Sequence, residues 1–202
     1  MHAAPLSRRQ LIRTGLAGSL TAALAVWVGP ERAVARQPRV PLHAVLLDER
    51  FPEALLLGAG ARRHGLSTRN LQGDVTDVWY GELYPLWKER AVPVAGLTTY
   101  AALFCLEQLA WDHRMRVVYR GAHIRRAEGQ LEHALAGPRA LVDAIRSAPS
   151  RGWPAELAAA IALVESRGGW SGLAPVPPRH TKPVREGAPT LYSWVIGAPA
   201  RA

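Results

Sequence analysis

The chain has only one cysteine, Cys105, among its 202 residues. A single cysteine cannot form an intramolecular disulfide, and it excludes iron–sulfur clusters and cysteine-based zinc sites within this chain. Cys105 lies in an apolar helical run at 101–106 with no nearby His or Lys to form the thiolate. We therefore interpret it as a small buried hydrophobic residue rather than a nucleophile. The lack of disulfides is compatible with folding in a reducing compartment.

Lysine is almost absent, and nearly all basic residues are arginine; Lys88 and Lys182 are the two lysines. The whole sequence has 25 Lys and Arg residues and 16 Asp and Glu residues. Four of the arginines and one of the glutamates precede residue 36, so residues 36–202 have a net charge of about +6. The sequence has no stripe of basic residues interleaved with aromatic residues. We therefore do not expect the protein to bind nucleic acid.

Several catalytic and cofactor-binding motifs are also missing. The sequence has no Gly-x-Ser-x-Gly elbow, no His-Glu-x-x-His zinc motif and no spaced glycines of the dinucleotide-binding or phosphate-loop kind. Its histidines are scattered along the chain and form no short His-x-His pair. We therefore expect neither a cofactor nor a bound metal ion.

The N-terminus has the organisation of an export signal. Arg8 and Arg9 precede an apolar stretch at 14–28, and Ala33 and Ala35 flank one position in the manner that signal peptidase requires. The apolar stretch is 15 residues long, which is shorter than the roughly 20 residues that a helix needs to cross a bilayer. We therefore expect cleavage after Ala35 and no permanent membrane anchor.

The pair Arg8-Arg9 after Ser7, with Leu11 two positions beyond, resembles the twin-arginine (Tat) signal of bacterial export. The resemblance implies that the Tat machinery delivers an already folded protein to the periplasm of a Gram-negative-type bacterium. An ordinary secretory signal and an uncleaved interfacial helix remain open alternatives. The resemblance covers the first 35 residues and implies nothing about the chemistry of the mature domain.

Short apolar runs alternate with helical patterns through the first part of the mature chain. A strand, a helix and a strand within about 30 residues is typical of the βαβ unit, whose strands are parallel. Together with the earlier strand and helix, this unit predicts an α/β fold with an open, doubly wound, mainly parallel sheet and helices on both faces. The predicted strands are at 42–47, 67–71, 92–95 and 116–120, and the predicted helices are at 51–64, 76–90 and 100–113.

The C-terminal third has a different character. The pattern predicts a helix at 129–146 that is interrupted near Gly137 and Pro138, and a second helix at 154–166. The many glycines and prolines of residues 168–189 indicate an extended connector. The apolar run at 191–196 predicts a last strand that joins the sheet. The predicted division of the chain is therefore a signal at 1–35, an α/β domain at 36–167, a connector at 168–189, and a terminal strand and tail at 190–202.

Polar residues follow the predicted strands, and ligands of open α/β sheets bind beyond the carboxyl ends of the strands. The turn at 96–99, before a predicted helix, indicates a small oxyanion cradle, and Arg50 and Arg120 would bind a carboxylate or phosphate. Asp48 and Asp74 could instead cap helices, and Thr98 or Thr99 could be a helix N-cap. The candidate ligand-binding residues are Asp48, Arg50, Asp74, Gly96, Thr98, Thr99, Arg120 and His123.

Two functional hypotheses follow from this arrangement. The first is an exported binding or accessory protein that holds a small anionic ligand or a co-exported partner subunit. The second is a cofactor-free hydrolase or isomerase that uses Asp48, Asp74 and His123 as acid and base groups. Close Asp and His side chains in a closed pocket would favour the enzyme, and a shallow edge or a large apolar surface would favour the accessory role.

Overall fold

The computed structural model of the chain describes residues 40–126, 130–177 and 190–200. The predicted signal, with Arg8, Arg9, Ala33 and Ala35, lies outside the described residues, as does the connector from residue 178 onward. Among the described helices, none combines the length and the apolar character that a membrane crossing requires.

The described residues form six strands and a set of helices. One helical segment begins at Thr76–Val78, widens to a π-helix at Trp79–Leu83 and continues at Tyr84–Glu89. The strands are β1 (Val45–Leu47), β2 (Thr68–Asn70), β3 (Val94–Thr99), β4 (Arg116–Arg125), β5 (Leu131–Ala136) and β6 (Leu191–Gly197). The helices are α1 (Pro52–Arg63), α2 (Thr76–Val78), α3 (Tyr84–Glu89), α4 (Tyr100–Asp112), α5 (Arg139–Arg146) and α6 (Trp153–Arg167).

The strands form one mixed sheet in the order β2-β1-β3-β6-β4-β5. Strand β1 is parallel to β2 and β3, whereas β6 is antiparallel to both β3 and β4, and β5 is antiparallel to β4. The α/β class predicted from the sequence is confirmed, but the mainly parallel sheet is wrong, because the C-terminal strand inserts in the opposite direction between β3 and β4. The doubly wound arrangement is not confirmed.

The turn predicted at 96–99 is also wrong, because these residues belong to β3. Gly96 allows the strand to continue there, since the Trp194 ring lies directly over it and a Cβ at this position would be 2.3 Å from Cζ2 of that ring. Strand β4 likewise continues past residue 120 to Arg125. Arg120 and His123 therefore lie within a strand rather than beyond its end.

The helix predicted at 129–146 is a strand followed by a shorter helix. Leu131, His133 and Leu135 alternate with residues of the opposite face, and this period of two suits the pairing of β5 with β4. Gly137 then turns the chain into α5 with a φ of 131°, a value that favours glycine. Cys105 is exposed rather than buried, because α4 packs its other side, including Leu103 and Leu106, into the core.

Apolar side chains form two clusters that alternate along the strands, as the pleat of a sheet requires. Leu191 and Val195 of β6 pack with apolar residues of α1, α5 and α6, and we call this side of the sheet the α6 face. Tyr192, Trp194 and Ile196 pack with residues of α3 and α4, and we call this side the α4 face. Burial of both clusters supplies the main hydrophobic stabilisation of the domain.

Candidate functional site

Four polar side chains form a continuous hydrogen-bonded chain on the α6 face of the sheet. The Ser193 hydroxyl of β6 lies 3.0 Å from the Tyr119 hydroxyl and 2.7 Å from His123 Nε2, both of β4. His123 Nδ1 lies 2.7 Å from Nδ1 of His133, its register partner on β5. Gly121 leaves room for this chain, because a Cβ there would be 2.6 Å from Ser193 Oγ.

The hydrogen bonds between these four side chains can run in one direction that gives an acceptor to every hydrogen shared between them. Tyr119 donates to Ser193, Ser193 donates to His123 Nε2, and the His123 Nδ1 hydrogen points at His133 Nδ1. In the reverse direction the hydrogen of the buried Tyr119 hydroxyl would end the chain and would have no acceptor within it. Leaving a buried donor without an acceptor costs about 1–3 kcal/mol, so the first direction is favoured.

Burial keeps these groups neutral. Desolvation, together with the repulsion that a protonated His133 would exert, lowers the pKa of His123 well below its ordinary value. Desolvation also lowers the pKa of the half-buried His133, and it raises the pKa of the Tyr119 hydroxyl. A low-dielectric environment disfavours the charged form of each group.

Trp153, the first residue of α6, covers the hydrogen-bonded rings of His123 and His133. Its ring stacks on the His123 ring with centroids 3.8 Å apart and an interplanar angle of 17°, and it meets the His133 ring edge-on at 5.5 Å. Trp153 is almost fully buried. The start of α6 therefore fixes the orientation of the His123 ring.

A cavity of about 240 Å³ opens beside the stacked rings. It lies where β4 ends and where β5 and β6 begin, next to the first residues of α1 and α6. Strands β3 and β4 run in the same direction because both are antiparallel to β6. The cavity is therefore at the carboxyl ends of these strands, the edge at which ligands of α/β sheets bind.

The cavity combines apolar walls with one pair of opposite charges. Glu53 Oε1 of α1 accepts a hydrogen bond from Arg125 Nη2 of β4 at 2.6 Å. The Glu53 side chain is 21% exposed and the Arg125 side chain is 46% exposed. The remaining wall residues are His123 and a set of apolar side chains: Phe51, Pro52, Leu131, Trp153 and Leu191.

Two helix N-termini adjoin the same cavity. Within the described residues, neither α1, whose N-cap is Phe51, nor α6, whose N-cap is Gly152, has a side-chain hydrogen bond to its cap. The first turn of a helix carries a positive partial charge. Here it has few free donors, because Pro52 and Pro154 have no N–H and the Ala54 and Ala155 N–H groups bond to Phe51 O and Gly152 O. This end of the cavity therefore favours a negatively charged group.

Asp48, Arg50 and Asp74, three of the predicted site residues, follow strands β1 and β2 and do not line the cavity. The buried Asp48 carboxylate accepts two hydrogen bonds from Arg50, at 2.7 and 2.6 Å. The Arg50 guanidinium lies against Gly73, where a Cβ would be 2.2 Å from Nη2. Asp74 accepts a hydrogen bond from the Thr76 N–H at 2.8 Å, and its bonds to Thr76 lower the pKa of its carboxyl.

Thr98 and Arg120, two further predicted site residues, lie on the α4 face of the sheet. Thr98 Oγ1 accepts a hydrogen bond from Trp194 Nε1 at 3.0 Å. Thr99 occupies the N-cap position of α4 without a side-chain capping bond. Arg120 Nη2 donates to both carboxylate oxygens of Glu107 on α4, each at 2.7 Å. Among the described residues, Arg120 Nε and Nη1 find no hydrogen-bond acceptor.

Six of the eight candidate residues make side-chain hydrogen bonds, and these bonds go to several different partners. Asp48 and Arg50 bond to each other, Thr98 bonds to Trp194, and Arg120 bonds to Glu107. His123 is the candidate that lines the cavity. Asp48 lies next to Thr98 across the β1–β3 pair, since its N–H donates to Leu97 O at 3.1 Å, but the side chains of Asp48, Thr98 and Arg120 hydrogen-bond to different partners.

Sequence reasoning missed three residues of the cavity wall, Glu53, Arg125 and Trp153. It also missed the hydrogen-bonding partners of His123, namely Tyr119, His133 and Ser193. One available signal was the period of two along residues 119–125, which places alternate residues of β4 on one face. Residues 131–136 do not alternate between polar and apolar positions, so no local period of two indicated β5. The pairing of Ser193 with His123 has no local signal, because these residues are 70 positions apart in sequence.

Ser193, His123 and His133 have the hydrogen-bond order of a serine nucleophile, its base and an orienting acceptor. Ser193 is, however, 0% exposed, so its hydroxyl does not reach a substrate in this structure. Within the described ranges, no three His, Cys, Asp or Glu side chains come together as metal ligands.

No family model matches the chain, and neither a curated protein nor a solved structure matches it.

Proposed function

We propose that this protein binds a small organic ligand through the ligand's carboxylate, in the cavity at the starts of α1 and α6. The observation that carries this proposal is the combination, in one cavity, of apolar walls with the Arg125 guanidinium. The volume of about 240 Å³ is slightly below the range of roughly 300–1,000 Å³ that is usual for ligand pockets. The ligand is therefore a small molecule rather than a polymer.

The electrostatics of the cavity support a carboxylate. The contact of Arg125 with Glu53 uses Nη2, and a guanidinium offers five N–H donors, so Arg125 can bind a carboxylate with its other donors. The uncapped N-termini of α1 and α6 add a positive partial charge at the same place. The apolar wall residues Phe51, Leu131 and Leu191 would bury the body of the ligand.

The contacts of the described residues favour this binding role over the acid–base enzyme. Asp48, Asp74 and His123 hydrogen-bond to Arg50, Thr76 and Ser193, respectively. These are three different partners, so the proposed acid and base groups do not act on one substrate atom in this arrangement. His123, the predicted base that lines the cavity, has both ring nitrogens engaged within the sheet.

Titration of the purified protein with acetate, 4-methylpentanoate and inorganic phosphate, followed by calorimetry and by amide NMR, tests the proposal. We expect 4-methylpentanoate to bind and to shift the amide signals of the cavity residues. Arg125→Gln should weaken its binding by about tenfold or more, because a charge-assisted hydrogen bond contributes roughly 1.5–3 kcal/mol. If no organic carboxylate, with or without an additional ammonium group, binds the wild-type protein at millimolar concentrations, the proposal is contradicted.

Arg126→Gln is the matched control for this experiment. Arg126 is the next residue, its side chain is 47% exposed, and it pairs with Glu132 rather than with Glu53. Its substitution removes the same charge from almost the same place in sequence without changing the cavity wall. Equal weakening by Arg125→Gln and Arg126→Gln would indicate a non-specific charge effect and would overturn the assignment to the cavity.

Delivery to the periplasm by the Tat machinery, with removal of residues 1–35, is part of the same proposal. It is supported by Arg8 and Arg9, by the apolar stretch that follows them, and by Ala33 and Ala35 before the expected cleavage point. Association with a co-exported partner subunit also stays a prediction. Recovery of the protein from a periplasmic extract, with identification of any bound molecule or subunit, tests both.

A further inference from the structure

Glu53 and Arg125 place a negative and a positive group side by side in the wall of the cavity, 2.6 Å apart. A simple carboxylate that binds Arg125 would lie next to the Glu53 carboxylate, and two like charges at such distances repel. A simple ammonium that binds Glu53 would lie next to the Arg125 guanidinium, and these two positive charges would repel each other. A ligand that carries both charges gives each of these side chains a partner.

From this pairing we propose that the ligand of the cavity is an apolar α-amino acid, whose carboxylate binds Arg125 and whose ammonium binds Glu53. This inference rests on the proposed function, because it names the ligand class of the same cavity. The two charged groups of such a ligand are attached to the same carbon, as the two protein charges are adjacent in the wall. Electrostatic complementarity of this kind selects a zwitterion over a simple anion or cation.

The existing ion pair does not prevent such binding. Both side chains are partly exposed, 21% for Glu53 and 46% for Arg125, and an ion pair in contact with solvent contributes only about 0–1 kcal/mol. Separating the two groups so that a zwitterion can lie between them therefore costs little. After binding, each charge again has an oppositely charged partner, now in a cavity from which water has been displaced.

The apolar wall selects the side chain of the amino acid. Phe51, Leu131, Trp153 and Leu191 surround the space next to the ion pair, and His123 holds the Trp153 ring in place by stacking. A polar or charged side chain would lose its hydration against these groups without a compensating hydrogen bond. An apolar side chain gains about 25 cal/mol for each Å² that it removes from water.

The test compares L-leucine with the two molecules that lack one of its charges, 4-methylpentanoate and 3-methylbutylamine, by calorimetry on the wild-type protein. We expect L-leucine to bind at least about tenfold more tightly than either analogue, since it retains both charge-assisted contacts. In Glu53→Gln, L-leucine should lose this advantage, whereas 4-methylpentanoate should bind as well as before or better, because the like charge is gone. Retained binding of 4-methylpentanoate also shows that the variant is folded.

Glu132→Gln is the matched control, because Glu132 pairs with Arg126 outside the cavity and its side chain is 53% exposed. It should leave all three affinities unchanged. If 4-methylpentanoate binds and L-leucine binds no better, or if Glu53→Gln weakens both equally, the amino-acid inference is overturned and the carboxylate-binding function stands. If none of the three molecules binds, the proposed function fails as well.

Discussion

His123 Nδ1 lies 2.7 Å from His133 Nδ1 across the β4–β5 pair. Two nitrogens at this distance share one hydrogen, so one of them is a donor and the other an acceptor while both rings are neutral. A second proton on either ring would put a charge into a site that Trp153 and the sheet shield from water. The relationship makes the stability of the domain depend on the protonation of two histidines.

We expect stability to decrease as the pH falls below about 6.5. Burial lowers the pKa of His123 and of His133 in the folded state, and for His123 the repulsion that a protonated His133 would exert adds to the effect. The unfolded chain, with histidine pKa values near 6.5, therefore binds protons before the folded chain does. Stability is complete above this value and declines below it, at up to about 1.4 kcal/mol per pH unit for the fully buried His123.

Urea unfolding at pH 7.5 and at pH 5.5 measures this effect in a range above the titration of ordinary carboxylates. His133→Gln should show a smaller loss between the two pH values than the wild type. His64→Asn, which changes an exposed histidine, should behave as the wild type does. Equal wild-type stability at the two pH values would contradict the prediction.

Gly121→Ala should destabilise the domain by about 1–3 kcal/mol, the usual cost of an extra methyl group in a packed site. The new Cβ would lie 2.6 Å from Ser193 Oγ and 2.8 Å from the Tyr119 hydroxyl, so it would disrupt the hydrogen bond between these groups. Gly81→Ala is the control, because a Cβ at Gly81 meets nothing within 4 Å. A thermal melt in which both variants shift equally would count against a packing role for Gly121.

Glu107→Ala should be strongly destabilising, by about 3–5 kcal/mol, because it leaves the Arg120 guanidinium buried without its partner. Both side chains of this pair are almost fully buried. The double variant Glu107→Leu with Arg120→Met should lose less than the single variant, since it removes both charges. Urea unfolding provides the comparison. Glu132→Ala, which removes one partner of the exposed ion pair with Arg126, should lower the free energy of unfolding by at most about 1 kcal/mol.

The export prediction is tested by replacing Arg8 and Arg9 with lysine. If the N-terminus is a twin-arginine signal, the double variant should remain in the cytoplasm as the full-length precursor, whereas the wild type should be recovered from the periplasm. N-terminal sequencing of the wild-type protein should begin at Arg36, the residue after the expected cleavage point. Unimpaired export of the double variant would instead favour an ordinary secretory signal.

The local patterns of the sequence predicted much of the secondary structure. Apolar residues at helical spacing indicated a helix at 51–64, close to α1 at Pro52–Arg63, and one at 154–166, close to α6 at Trp153–Arg167. These patterns depend on residues within a few positions of one another, so they can be interpreted without the fold. The helix predicted at 129–146 was wrong because β5 depends on its pairing with β4.

By itself, the sequence determined the α/β class, the approximate positions of most helices and strands, and the expectation of an export signal. The tertiary structure alone decided that β6 lies between β3 and β4 in the opposite direction, and that His123 meets Ser193 and His133 rather than Asp48 or Asp74. The physical reason is the separation in sequence: 70 positions between His123 and Ser193, and 72 between Glu53 and Arg125. Contacts at such separations depend on strand order and register, which no local pattern of residues determines.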